Sequence, residues 1–160
     1  MAITIRPETP LQDDVRELVA ELNAYLKPLG PPEFQFQMTV EQMADSATTL
    51  FVARDETGRA VGMGALKVQS PELAEVKRMF TRPELRGQRL GSALLDAIVA
   101  LAVEKGIPVL KLETGVGPGF EPAHRLYERG GFVPCGPFLD YPDSGWSAFF
   151  ERRLRTEEVA

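Results

Sequence analysis

The chain is poor in the residues that staple or metallate small proteins. Its 160 residues hold one cysteine, Cys135, and one histidine, His124. A lone cysteine excludes an internal disulfide and fits a reducing compartment. One residue of each kind cannot build a Cys/His zinc site, so no metal is expected. Positive charge is not in excess either: 18 Lys and Arg stand against 23 Asp and Glu, for a net charge of −5. A nucleic-acid surface is normally basic, so nucleic acid is not an expected partner. No apolar run approaches the ~20 residues of a membrane span. The opening stretch MAITIRPETP has no secretory apolar segment. These absences predict a cytoplasmic protein with no membrane partner. An acidic balance favours cationic ligands such as amines, mildly.

What is present reads as alternating strands and helices. Ile3 and Ile5 alternate with polar residues, predicting a strand over 2–6. In TPLQ, Thr9 is placed to cap, Pro10 to open and Gln12 to close a capping box. Val15, Leu18, Val19, Leu22 and Leu26 follow at helical spacing. A short helix is expected over 39–47. Strands over 49–54 and 60–68 flank the turn DETGR and read as a hairpin. A third strand is expected over 73–81. The strongest helix spans 88–105, with Leu90, Leu94, Ala97, Ile98 and Leu101 as its stripe and Gly106 as its stop. A strand over 107–113, a helix over 122–129 and strands over 132–135 and 147–154 complete the order. The βαβ unit through the long helix should be parallel, the earlier strands antiparallel. A mixed sheet with helices on both faces follows, as a single domain over 1–155 with a frayed tail over 156–160.

The junction TRPELRGQRLGSALL, residues 81–95, is where chemistry concentrates. A helix start has unpaired N–H groups and a positive dipole end, and glycine lets a phosphate approach them. Gly87 and Gly91 remove side chains there, and Arg86 and Arg89 add charge. A plain turn would use the same glycines. The phosphate-loop string of NTPases and the dinucleotide fingerprint are both absent.

Arg86, Gly87, Gln88, Leu90 and Gly91, after three strands and before a helix, resemble the central motif R/Q-x-x-G-x-G/A of the GNAT superfamily of N-acetyltransferases. Arg89 stands where that family usually has glycine. AHRLYERGGF, residues 123–132, resembles the family's A-x-x-L-Y-E-x-x-G-F segment, with Phe120 where an asparagine is usual. The resemblance spans nearly the whole chain. It implies an α/β fold with about seven strands and four helices, and acetyl-CoA as cosubstrate without a metal. It implies further that backbone amides from Arg86 through Ser92, including Gln88 and Arg89, cradle the pyrophosphate. The acyl-pantetheine arm would pair with Met79, Phe80 and Thr81 where that strand splays from its neighbour.

The implied reaction is transfer of an acetyl group to a primary amine, of a small molecule or a protein, in one ternary complex. An amine with a lysine-like pKa of about 10.4 holds its proton at neutral pH by roughly 4.6 kcal/mol, so a base or water relay must remove it. Glu75 has the spacing of the glutamate base in one branch of the family, and alternation puts Glu75, Lys77, Met79 and Thr81 on one strand face. Glu113 is the rival, and an exposed Glu75 paired with Lys77 or Arg78 the plain alternative. Tyr127 matches the family's general acid, the role favoured here over plain packing beside Ala123. His124 reads as a surface residue and Cys135 as a small buried one. Asp140, Asp143, Trp146, Tyr25, Phe34 and Phe36 are candidates for the acceptor pocket. A homodimer is open, with SAFFERRL as a surface strand able to pair. The rival function is an acyl-CoA sensor or interaction domain without turnover.

Overall fold

Seven strands form one sheet in the order β1-β2-β3-β4-β5-β7-β6. The computed structural model describes residues 2–85 and 88–154. Arg86, Gly87 and the tail over 156–160 therefore lie outside the described residues. The strands are β1 (Thr4–Pro7), β2 (Thr48–Arg54), β3 (Ala60–Ser70), β4 (Leu73–Thr81), β5 (Val109–Gly115), β6 (Val133–Cys135) and β7 (Ser147–Arg153). The helices are α1 (Asp13–Leu26), α2 (Val40–Met43), α3 (Leu90–Glu104) and α4 (Glu121–Arg129). Neighbouring strands are antiparallel except β4 and β5, which are parallel, as a crossover through α3 requires.

Each face of the sheet carries its own core. Val15, Leu18, Val19 and Leu22 of α1 pack with Met43 of α2 on Leu50, Val52, Met63, Ala65 and Phe80. Leu90, Leu94, Leu95, Ile98 and Ala102 of α3 pack on the other face, with Leu66, Val76, Leu110 and Leu112. Each such buried leucine contributes about 1.5–3 kcal/mol. Thr39 caps α2 in a reciprocal box with Gln42.

α1 begins later than the capping pattern predicts. Its first residue is Asp13, and Gln12 occupies the cap position without a side-chain cap bond. Thr9 instead accepts from the Leu11 amide, and the Gln12 amide nitrogen donates to Glu8 and the Thr9 carbonyl. That geometry frees Glu8 and Asp14 to pair with Arg54 at the end of β2.

Simple alternation also fails in β4. Met63 lies opposite Phe80, but Ala65 lies opposite Lys77, so Arg78 and Met79 together face Gly64. This is a bulge, and Arg78 adopts a left-handed φ of 54° in it. Parity flips across it. Glu75 and Lys77 meet Tyr141, whereas Met79 packs on the α3 side, its sulfur filling the space a Cβ on Gly64 would need. SAFFERRL is not a free edge: β7 pairs β5 on one side and β6 on the other.

Candidate active site

β4 and β5 pair only at their first residues, Leu73 to Glu75 against Val109 to Lys111. Beyond that point each strand runs on without the other. The bulge at Arg78 turns β4 away, and a cleft of about 540 Å³ opens in the gap. One wall is Val76 to Thr81; the other is Glu113 to Gly115. Tyr25, Phe34, Phe36 and Trp146 line the cleft from the α1 side, and Tyr127 of α4 lines it too. The Tyr25 hydroxyl donates to the Gly119 carbonyl at 2.6 Å, tying α1 to the turn before α4.

Met79, Phe80, Thr81, Arg89, Leu90, Gly91 and Ser92 all line this cleft; Gln88 does not. Arg89 takes a left-handed φ of 61° immediately before α3, a conformation glycine adopts without the strain of a Cβ. That is the physical meaning of the family's glycine at this position. α3 has neither a side-chain cap nor an acidic residue in its first turn, leaving its N–H groups and positive dipole end for an anion. At Gly91 a Cβ would come within 3.3 Å of Leu126, so glycine lets α4 close on α3 beside the cleft.

Two glutamates stand at the split, and only one lines the cleft. Glu75 is 2% exposed and absent from the cleft wall. Its carboxylate accepts from Gln69 and from the Tyr141 hydroxyl at 2.8 Å, with the Lys77 ammonium 3.6 Å away. Lys77 in turn donates to the Tyr141 oxygen at 2.7 Å. Glu113 lines the cleft and accepts from the Ser147 hydroxyl at 2.6 Å. Burial pushes the Glu113 carboxyl above its ordinary value; the Ser147 bond and the charge of Lys77 oppose this, and Glu75 adds to it.

Tyr127 is buried, its ring against Phe132 and Phe150. Its hydroxyl makes no hydrogen bond with a described residue. Burial first, and the nearby Glu113 charge second, hold its proton well above the usual phenol range. Burial does the same for Tyr141, with Glu75 and Glu113 adding to it. Tyr141 sits in FLDYPDSGWS, the segment that also holds the pocket candidates Asp140, Asp143 and Trp146. The two acids are exposed and line nothing here, while Trp146 lines the cleft at 45% exposure. No local pattern marks Tyr141; 66 residues separate it from Glu75. His124 is half-buried rather than on the surface, its Nε2 2.8 Å from the Gly115 carbonyl. Cys135 is only half-buried.

The model of the acetyltransferase (GNAT) family matches residues 14–132. The chain belongs to the GNAT acetyltransferase family. This acetyltransferase is 39% identical over 153 residues to the "IAA acetyltransferase" of Azospirillum brasilense, an alignment covering 95% of this chain and 98% of the relative. A crystal structure from Klebsiella pneumoniae, assigned as an acyl-CoA N-acyltransferase, superposes with a TM-score of 0.80 at 30% identity, over 95% of this chain and 97% of that one. The fold also matches an Elizabethkingia anophelis GNAT acetyltransferase with acetyl-CoA bound, at a TM-score of 0.70 and 20% identity over 95% and 98% of the two chains. No helix among the described residues is long and apolar enough to cross a membrane.

Proposed function

We propose that this acetyltransferase moves an acetyl group from acetyl-CoA to a primary amine held in the β4–β5 cleft, by direct transfer. The observation that carries the proposal is the placement of Glu113 and Tyr127 on one cleft that also reaches the uncapped start of α3. Bound acetyl-CoA supplies a thioester whose C–S bond breaks as the C–N bond forms. The α3 amides from Arg89 onward, with the Arg89 charge, would hold its phosphates. Met79, Phe80 and Thr81 offer a strand edge to its extended arm. These residues fit the group: β4 has no partner beyond Glu75 on this side, and the α3 start has no capping side chain.

Glu113 takes the amine proton. Its raised pKa brings the carboxylate closer to a useful base strength at neutral pH. Tyr127 gives a proton to the departing thiolate, and its own raised pKa keeps that proton in place until then. Glu75 is a positioning residue, anchoring Tyr141 and Lys77 behind the reacting groups. Calorimetric titration with acetyl-CoA, with ATP and NAD as controls, is the first test. Micromolar binding of acetyl-CoA alone is expected. Absence of binding would remove the enzyme reading and leave a scaffold domain.

A further inference from the structure

Arg78 is the buried cation of the cleft that pairs with no carboxylate among the described residues. It is 9% exposed, lines the cleft, and sits in the β4 bulge with a left-handed backbone. Its Nη2 donates to Asn23 Oδ1 on α1, a neutral acceptor. Its Nε is fully buried and bonded to no described residue. The guanidinium pKa is pulled down to about 10 by burial alone. Lys77, one residue earlier, shows the contrast: it has Glu75 at 3.6 Å and the Tyr141 oxygen at 2.7 Å.

Leaving a charge buried without a counter-ion is strongly destabilising, and completing the pair offsets that cost. The rest of the wall points the same way. Among the described residues, Lys77, Arg78, Arg89 and Arg129 line the cleft against the one carboxylate of Glu113. The protein as a whole carries −5, so the cleft is locally of the opposite sign. Arg78 is bonded to α1, on the sheet face opposite α3. An anion paired with Arg78 is therefore distinct from one seated at the start of α3. Asn23 fixes one corner of the planar fork, and a carboxylate matches the geometry of such a fork.

We propose that the acceptor is an amine that also bears a carboxylate, an amino-acid-like molecule, and that Arg78 receives that carboxylate while the amine faces Glu113. The apolar rim of Tyr25, Phe34, Phe36 and Trp146 is left for the rest of the molecule. This inference rests on the acetyl-transfer reading above.

The test uses glycine and the proteinogenic L-amino acids that bear a primary α-amine, with their carboxamides, as paired acceptors, with acetyl-CoA as donor and thiol release as the readout. Acids are expected to exceed their amides by about 100-fold in kcat/KM for at least one pair, because the amide leaves Arg78 unpaired. In Arg78→Gln that ratio falls toward one, and Arg78→Lys restores part of it. Should Arg78→Gln fail to fold, product inhibition of the native enzyme replaces it: N-acetyl amino acids should inhibit better than their amides. Amides turned over as well as acids, or no acid-dependent turnover or product inhibition in an enzyme that binds acetyl-CoA, overturns the inference and leaves the acetyltransferase reading standing. Loss of acetyl-CoA binding itself would remove both.

Discussion

In the proposed mechanism Glu113 and Tyr127 carry opposite halves of one proton inventory, and burial raises the pKa of both. A base must be ionised to act. As pH falls through the raised Glu113 pKa, kcat/KM should fall with it, reaching tenfold per pH unit. Glu113→Gln should lower kcat by roughly 10²–10³-fold and erase that acid limb; a pH–rate profile of both proteins checks it. An unchanged limb would move the base elsewhere, with Glu75 the nearest candidate. Tyr127 behaves differently because its proton is held well above the neutral range. No alkaline limb from it should be seen near neutrality. Tyr127→Phe should slow turnover by about 10²-fold or less, since a thiolate of pKa about 8.5 already leaves readily. Single-turnover rates with the two variants separate the roles. Both glutamates were visible in the sequence, but burial was not: Glu75 and Glu113 look alike on paired strands, and only the splay decides which one faces a ligand.

At the level of elements, the β4 bulge is the device that makes the site. It reverses the parity of the strand, sends Met79 toward α3 and leaves Arg78 on the side of α1. Gly64 is the residue that permits it. A Cβ there would overlap the Met79 sulfur and sit 3.0 Å from Ile98 Cδ1. Gly64→Ala should destabilise the protein by about 1–2 kcal/mol through overpacking. Because Met79 must swing to make room, and Met79 lines the cleft, acetyl-CoA affinity should fall as well. Denaturant unfolding and calorimetry on the same variant test the coupling. Unchanged affinity with lowered stability would show that the bulge survives and that Met79 gives way without touching the cleft. The strand itself was legible over Leu73–Thr81, yet its faces were not. A bulge is set by what the neighbouring strand can accommodate, and period-two alternation carries no trace of it.

Across the whole molecule, Arg54 at the end of β2 ties down the segment that leads from β1 into α1. It pairs with Glu8 at 2.8 Å and Asp14 at 2.7 Å and donates to the Gly58 carbonyl at 2.8 Å. Its hydrogen bonds hold the carboxyls of both Glu8 and Asp14 below their ordinary values. A lowered carboxylate pKa adds stability that is present above the unfolded value of about 4 and lost as pH falls through the folded value. Arg54→Met should therefore cost about 2 kcal/mol at neutral pH, with part of the charge term screened because these groups are partly exposed. The gap between the two proteins should shrink in acid. Thermal melts across the acid range read this directly, and a pH-independent gap would show that packing by Arg54, not charge, holds the segment.

The sequence by itself determined the order of elements, the parallel β4–α3–β5 unit and the family. These follow from local patterns: apolar period, glycine placement and motif spacing act over a few residues, and a linear string records them. Tertiary structure alone decided which glutamate lines the cleft, that Tyr141 closes on Glu75 and Lys77, and that Arg78 stands buried with no carboxylate partner among the described residues. Those facts depend on where two strands part and on contacts between residues more than fifty positions apart. Burial and charge pairing arise from the packed whole, so no window of the chain encodes them.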